Sequence, residues 1–305
     1  MHHSPDQRKQ GDAAPASMQQ ADFIAGLGKG LGVLQAFDVN RQRLNATQAA
    51  QRVGLTRAAA RRYLLTLQAL GYLDSDGTQF WLTAKVLQFS GNYLASAQLP
   101  RTAQPTLDAL SMHTDGAFSV VVADGAEVVI VARGRDSLRA AVAQLTPGGS
   151  SANNSVQERQ AAIAHARSVM GMAQGLHLGA RLPMHATSTG QVLMAHWPSA
   201  QLDAWLGQHA LRALTPHTIT TVTALKKRLQ QIRKTGWCCA SQEHELGVQG
   251  LAVPVYRGDG HVVGALNVVN SVALGESTPV SDQDAVARRW LPWLQEAAQQ
   301  LRTLL

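Results

Sequence analysis

The sequence predicts an α+β protein in two parts: a winged helix-turn-helix, then a linker helix and a larger domain built on an antiparallel sheet. Three observations predict it. Leu44–Gly71 reads as two helices joined by a glycine turn. A hairpin signal, Tyr72 to Leu82, follows at once. Beyond Pro105 the chain runs from β-rich segments to helices and back to β-rich segments, an order that suits helices packed on an antiparallel sheet rather than a doubly wound one.

Residues 1–20 are polar and proline-containing and read as a disordered arm, so the first domain is expected at 21–83. Phe23 to Phe37 carries Leu31, Val33, Leu34 and Phe37 at helical spacing. The next helix is expected to begin near Thr47 as N-cap, with Asn45 followed by Gln48 as a second possible cap. Ala49, Ala50 and Val53 give it a small apolar face, and Gly54 supplies the left-handed residue that ends it. Thr56 then caps a second helix running to Leu70, in which Ala60, Tyr63, Leu64, Leu67 and Leu70 share one face.

Arg57, Ala58, Arg61 and Arg62 occupy the opposite face, in the N-terminal half that helix-turn-helix proteins present to base edges. Arginines on a helix are commonly just solvated, but solvated faces mix signs. From Val39 to Leu73 six arginines (Arg41, Arg43, Arg52, Arg57, Arg61, Arg62) meet no Asp or Glu. With the hairpin as a wing, this composition points to duplex DNA: Arg57, Arg61 and Arg62, with Ala58 nearby, are expected in the major groove, wing residues and Lys85 near phosphates, and Thr47 and Thr56 among the DNA-binding residues.

Ala84–Ala97 is expected to be a linker helix, with the linker region spanning 84–104 and the second domain 105–305. A helix is expected at Thr106–His113, and strands at Phe118–Val122, Glu127–Val131, Leu251–Tyr256 and Val262–Val269. Helices are expected near Thr189–His196, Ala200–Gln208, Thr223–Thr235 and Asp282–Leu304, the last capped at Ser281. Residues 147–166 read as a polar insertion, turn-rich at first and then a short helix (Arg159–Arg167).

The length of 305 residues and 45% hydrophobic content fit two globular domains, and the net charge of +7 fits a polyanionic partner. Cys238 and Cys239 are the two cysteines, and sequence neighbours rarely bridge, which suggests a reducing, cytoplasmic setting. Apolar runs stay short of a membrane span and the N-terminus lacks a signal-peptide core. Histidines such as His113, His165, His185 and His244 lack zinc-ligand spacing, the glycines at Gly26–Gly32 and Gly171–Gly179 follow no strand, and no G-x-S-x-G elbow occurs. No metal or cofactor is expected, and an enzyme or a non-DNA interaction protein stays a distant alternative.

Several blocks in order resemble the IclR family of bacterial transcription regulators. They are Gly26–Phe37, Leu55–Leu73, Phe89–Ala97, Gly179–Pro183, His185–Gly190, Glu243–Gly247 and Ala265–Val268. The resemblance covers about residues 23–300 and is similar to the branch that regulates aromatic-acid catabolism. It implies a dimer or dimer of dimers on operator DNA. It also implies a GAF-like effector-binding domain for a small carboxylic acid such as 4-hydroxybenzoate, protocatechuate, terephthalate or β-ketoadipate. A short aliphatic keto or hydroxy acid is the alternative. The implied effector residues are Ser188, Thr189 and Gly190, where a helix N-terminus offers N–H groups to an anion, together with Ala240, Gly250, Asn267 and Val269. Ala240 and Ser241 stand where relatives carry an acidic pair, so smaller, less acidic walls are expected. Arg133 is a candidate carboxylate partner, and Arg181 is expected to be a structural ion pair.

Overall fold

The computed structural model describes residues 22–38, 40–114, 116–134, 177–271 and 280–305. The arm at 1–20, the insertion at 147–166 with its helix Arg159–Arg167, and most of the glycine run at 171–179 lie outside the described residues, as does the Ser281 side chain. The chain divides into two units between Tyr93 and Leu94.

In the first unit, α1 (Ala25–Gln35), α2 (Ala46–Val53) and α3 (Arg57–Ala69) pack around Val33, Phe37, Ala49, Ala50, Ala60, Leu64 and Leu67. The Gly26–Gly32 run lies largely inside α1, a helix and not a phosphate loop. Asn45, not Thr47, caps α2. Its Oδ1 accepts from the Thr47 and Gln48 N–H groups, and the Gln48 side chain accepts from the Asn45 N–H, a reciprocal box that Thr47 has no partner to build. Gly54 ends α2 at φ 69°, and Thr56 caps α3. Tyr63 is only partly buried and Leu70 is 54% exposed, because the helix stops at Ala69 and Leu70 turns outward as its C-cap. The wing is β1 (Leu73–Ser75) against β2 (Phe80–Leu82), and a bridge from Leu44 to Phe80 ties it to the helices. Gly77 at φ 94° makes the turn. Asp76 Oδ1 accepts from the Thr78 and Gln79 N–H groups, which pulls its pKa down to about 2.

A 3₁₀ turn (Ala84–Val86) leads into α4 (Leu87–Ser96) and α5 (Gln98–His113). The expected helix start at Thr106 is corrected: α5 begins eight residues earlier and passes through Pro100 and Pro105. Pro100 falls in the first turn, where its missing N–H has no helical partner to lose.

The second unit holds one antiparallel sheet of order β5-β4-β3-β8-β7-β6, with β3 Ala117–Asp124, β4 Glu127–Arg133, β5 Arg181–Pro183, β6 Cys238–Ser241, β7 Val248–Tyr256 and β8 Val262–Ser271. Strands β5 and β6 were not anticipated. Each is short, and Cys238–Ser241 offers too little alternation to read as a strand. Helices α6 (Ser188–Ala195), α7 (Ser199–Gln208) and α8 (Val222–Thr235) cover one face, while α5 and α9 (Val280–Leu304) cover the other. Period two sorts the strands between these layers. Val120, Val253 and Leu266 face α5 and α9, whereas Val121, Ala252 and Ala265 face α6 and α8. Cys238 and Cys239 therefore lie on opposite faces, which is why both are free thiols. No helix among the described residues is long and apolar enough to cross a membrane.

Two substitutions test these contacts. Asn45→Ala removes the side-chain acceptor for the Thr47 and Gln48 N–H groups and should cost about 1 kcal/mol. Gly190→Ala places a methyl 2.2 Å from the Met184 carbonyl oxygen and should cost about 1–3 kcal/mol by overpacking. Denaturant titration of each variant measures the loss, and an unchanged midpoint would contradict it.

Candidate DNA-contacting face and effector cavity

On α3 the Thr56 Oγ1 accepts from the Ala59 N–H at 3.2 Å and fixes the helix entry. Arg57, Ala58, Arg61 and Arg62 are all exposed. Thr47 is exposed on the first turn of α2.

The six arginines do not act alike. Arg52 pairs with Asp38, which lies one residue outside the acid-free window. Arg43 sits 3.5 Å from Asp76 and 4.1 Å above the Trp81 ring, so it belongs to the wing. Arg57, Arg61 and Arg62 have no ion-pair partner for their guanidinium groups among the described residues. Lys85 is held at the far end of α3. Its Nζ donates to the Leu70 carbonyl at 2.8 Å and lies 4.9 Å above the Tyr72 ring, so it caps that helix, a role the sequence did not reveal.

In the second unit a cavity of about 100 Å³ opens on the α6 face of the sheet. Its floor is Ser119 and Val121 from β3, Ile130 from β4, Asn267 and Val269 from β8, Val248 and Gly250 from β7, and Ala240 from β6. Register makes this floor continuous, since Gly250 pairs with both Ala240 and Val269. Ala240 and Gly250 are the small residues of this floor. A Cβ at Gly250 would stand 2.7 Å from Ser188 Oγ, so a side chain there would need the Ser188 hydroxyl to turn away.

The roof combines Leu182, Ala186 and the first residues of α6 with the loop between β6 and β7. Thr187 caps α6, accepting from the Gly190 N–H at 3.2 Å and donating to the Pro183 carbonyl at 3.0 Å. The Gly190 N–H is thus already occupied, and Gly190 does not line the cavity. Ser188 and Thr189 do line it, and their N–H groups are the first two of the helix, where no carbonyl lies one turn behind. Ser119 donates to Asn267 Oδ1 at 2.6 Å, which leaves the Asn267 NH₂ as a donor at the floor.

The β6–β7 loop brings Glu243, His244 and Glu245 to the wall. Gln242 begins it at φ 58°, the one non-glycine residue with positive φ among those described, a conformation that persists only where neighbours enforce it. They do so here. The Gln242 N–H donates to the Val248 carbonyl at 2.7 Å and its Oε1 accepts from the Gly247 N–H at 3.1 Å. Thr215 and Thr218 donate to the carbonyls of Gln242 and Glu243, each at 2.6 Å. Glu243 is 4% exposed; its Oε2 accepts from Gln191 Nε2 at 2.7 Å, and Arg228 lies 3.7 Å away. Burial still raises its pKa, as it does that of Glu245.

Of the sequence-derived effector residues, Ser188, Thr189, Ala240, Gly250, Asn267 and Val269 meet at this cavity; Arg133 and Gly190 do not line it. Burial lowers the Arg133 pKa, and its carbonyl accepts from Gln104 Nε2. Arg181 forks between Asp124 and Glu127, at 2.6 Å to each, as a structural ion pair. The expected less acidic wall is corrected: Ala240 is small, but Glu243 and Glu245 stand on the same cavity. The Glu243–Gly247 block marked these residues in the sequence without revealing that the loop folds over the floor.

Family models match two parts of the chain, the IclR helix-turn-helix domain at residues 26–77 and the bacterial transcriptional regulator IclR C-terminal domain at residues 154–302. The Pca operon regulatory protein of Acinetobacter baylyi is 41% identical over 288 residues, covering 94% of this chain and 91% of the relative. The p-hydroxybenzoate hydroxylase transcriptional activator of the same organism is also 41% identical over 288 residues, covering 93% of each. Among solved structures, the inducer-binding domain of a PobR double mutant from Acinetobacter, in complex with 3-hydroxybenzoic acid, is 33% identical with a TM-score of 0.50; it matches 68% of this chain and 100% of that one.

The raised Glu243 pKa sets a sign. A carboxyl whose folded pKa exceeds its unfolded value contributes most at low pH and loses that contribution as pH rises from the unfolded toward the folded pKa. Glu243→Gln should therefore gain stability relative to wild type across that window, from about pH 4 upward. Thermal melts of both proteins at stepped pH test this, and a gap that narrows as pH rises would refute it.

Proposed function

The chain belongs to the IclR family of bacterial transcriptional regulators, and we propose that it reads operator DNA through α3 under control of an aromatic acid bound in the second unit. The observation that carries the DNA half is the cationic face of α3. Arg57, Arg61 and Arg62 keep exposed guanidinium groups without an ion-pair partner among the described residues, although Arg52 and Arg43 beside them are engaged. An unpaired arginine fork matches the O6 and N7 edge of guanine or a phosphate. Thr47 and Thr56 suit backbone contacts, and Lys85 adds positive charge near the C-terminal end of α3.

The effector half rests on the cavity. The cavity of about 100 Å³ is smaller than the cavity of about 150 Å³ that holds benzene in another protein, which limits the occupant to a single ring at most. Ser188, Thr189 and Asn267 supply donors for a carboxylate, and Val121, Ile130, Leu182, Val248 and Val269 supply apolar wall for a ring. Two relatives at 41% identity are the regulator of a Pca operon and the activator of p-hydroxybenzoate hydroxylase, and a structural neighbour carries 3-hydroxybenzoic acid. These support an aromatic acid or its catabolite over a short aliphatic keto or hydroxy acid. Exposed apolar residues on α1 and its entry (Ile24, Leu27, Leu31) and on α4 (Leu87, Phe89, Tyr93) support a homodimer or a dimer of dimers. The regulator acts in the cytoplasm and is not an enzyme. Gly250 guards the cavity: Gly250→Val should lower effector affinity at least tenfold by filling the floor.

The DNA reading is tested by fluorescence anisotropy with duplexes from the intergenic region upstream of the gene. Arg61→Ala should cost about 1–3 kcal/mol on the preferred sequence and relax preference at one base position. Uniform weakening across single-base variants, with a shallower salt slope, would reassign Arg61 to phosphate contact. Absence of any sequence preference in the wild type at physiological salt would overturn the reading.

A further inference from the structure

The exit of α3 is finished by residues that belong to the linker. Gly71, at φ 81°, ends the helix, and the Gly71 and Tyr72 N–H groups donate back to the Gln68 and Leu67 carbonyls. The carbonyls of Leu70, Gly71 and Tyr72, which follow, are each taken by a residue from beyond the wing. Lys85 Nζ donates to Leu70 at 2.8 Å, Thr83 Oγ1 to Gly71 at 2.6 Å, and the Thr83 N–H to Tyr72 at 3.0 Å. Carbonyls at a helix C-terminus lack partners within their own helix, so a segment that supplies their donors is fastened to the helix end.

Aromatic rings carry the contact into α4. The Tyr72 ring receives Lys85 Nζ at 4.9 Å and stacks on the Phe89 ring, with centroids 5.6 Å apart and planes 17° from parallel. Phe89 is 59% exposed and belongs to no buried cluster among the described residues, so the stack is not ordinary core packing. Each of these contacts joins the end of α3 to the start of the linker, whereas Arg57, Arg61 and Arg62 lie in the opposite, N-terminal half of α3. Lys85 Nζ is drawn to the Leu70 carbonyl and the Tyr72 ring, and a phosphate would have to draw it off both. The boundary between the two units falls inside α4, between Tyr93 and Leu94. A helix fastened to the DNA-reading helix at one end and continuous with the second unit at the other is the physical connection that coupling needs.

We propose that Tyr72, Thr83, Lys85 and Phe89 are positioning residues that fix α3 to the linker helix as one rigid piece. The direction of α4 then sets how α3 is presented to DNA, and Lys85 acts through this joint and not on a phosphate. The proposal rests on the DNA reading and the acid control set out above, and adds the connection between them.

Anisotropy of the full chain with the intergenic duplexes, with and without 3-hydroxybenzoate or 4-hydroxybenzoate, measures the change in DNA affinity that an acid produces. In Lys85→Met and in Phe89→Ala that change should shrink about threefold or more. Acid binding by isothermal titration and the salt slope of DNA binding should both stay at their wild-type values. A phosphate contact predicts the reverse for Lys85→Met, a salt slope lower by about one with the acid effect at full size. That result overturns the proposal, and so does an acid effect of wild-type size in both variants. A second measurement needs no acid. Spin labels at Thr66→Cys and Ala95→Cys, both exposed positions, in chains diluted with unlabelled protein, should give a narrow distance distribution that broadens in Phe89→Ala; equal widths overturn the proposal. If neither acid changes DNA affinity in the wild type, the aromatic-acid reading fails and the label widths alone decide the joint. Should Lys85→Met fail to fold, Phe89→Ala, at an exposed site, carries both measurements.

Discussion

Both faces of the six-stranded sheet are covered, and that constraint governs the second unit. A strand residue with α5 and α9 above one side and α6 and α8 above the other has no solvent side to turn to. Most central positions are apolar, or small, or supplied with a partner, with Gln249 on β7 a buried exception. The cavity exists where the third and second options replace the first. Ala240 and Gly250 are small, and Ser119 and Asn267 satisfy one another. Along the same face Ala252 and Ala265 lie beneath Val192, Leu225 and Leu229, and there the core is closed. The cavity is thus a local departure from close packing, set by a few side-chain volumes on strands whose course is otherwise uninterrupted.

Charge is arranged as economically in the first unit. The acid-free stretch from Val39 to Leu73 suggested one undivided arginine surface, but Asp38 and Asp76, just outside it, engage Arg52 and Arg43. Carboxylates at the edges of the window neutralise the arginines that belong to the fold and leave those of α3 untouched. Asp76 is itself restrained by N–H groups of the wing turn, so the acidic wing tip directs its charge inward and toward Arg43. A duplex approaching α3 meets positive charge that has no competing internal partner.

What was legible in the sequence follows the range of the interaction concerned. Helix faces and caps are set by neighbours three or four residues away, so α3, its Thr56 cap and the wing turn were readable directly. Asn45 was offered as a second cap to Thr47; the choice turned on whether Gln48 could reach back. Cavity residues were readable where a family block held them, as with Ser188, Thr189 and Asn267, or where the resemblance implied a pocket-facing position, as with Gly250. Glu243, His244 and Glu245 were visible as a block but not as a wall, because the loop is bent over the floor by Thr215 and Thr218, some 25 residues earlier in the chain. Arg133 suited a carboxylate by residue type and register sets it opposite Ser119 of the floor, yet it is not among the residues that line the cavity. At Pro100 α5 escapes the proline rule because a first-turn proline loses no helical bond, whereas nothing in the structure explains why the helix continues through Pro105.

The bracing of the wall bears on how binding is used. A loop that holds Gln242 in a left-handed conformation through four hydrogen bonds has little freedom left to lose, so a ligand is charged little entropy for ordering it. Rigidity alone gives affinity, however, and a ligand that binds two states equally shifts neither. Control of DNA binding requires a contact present in one state and absent or poorer in the other. In a wall where Gln191, Thr187, Thr215 and Thr218 are already bonded, the groups with bonds still to make are the Ser188 and Thr189 N–H groups and the Asn267 NH₂. A carboxylate that completes them adds its free energy only where β8 and the first turn of α6 stand at this spacing. That makes their relative position, more than cavity volume, the quantity on which a switch in this unit acts.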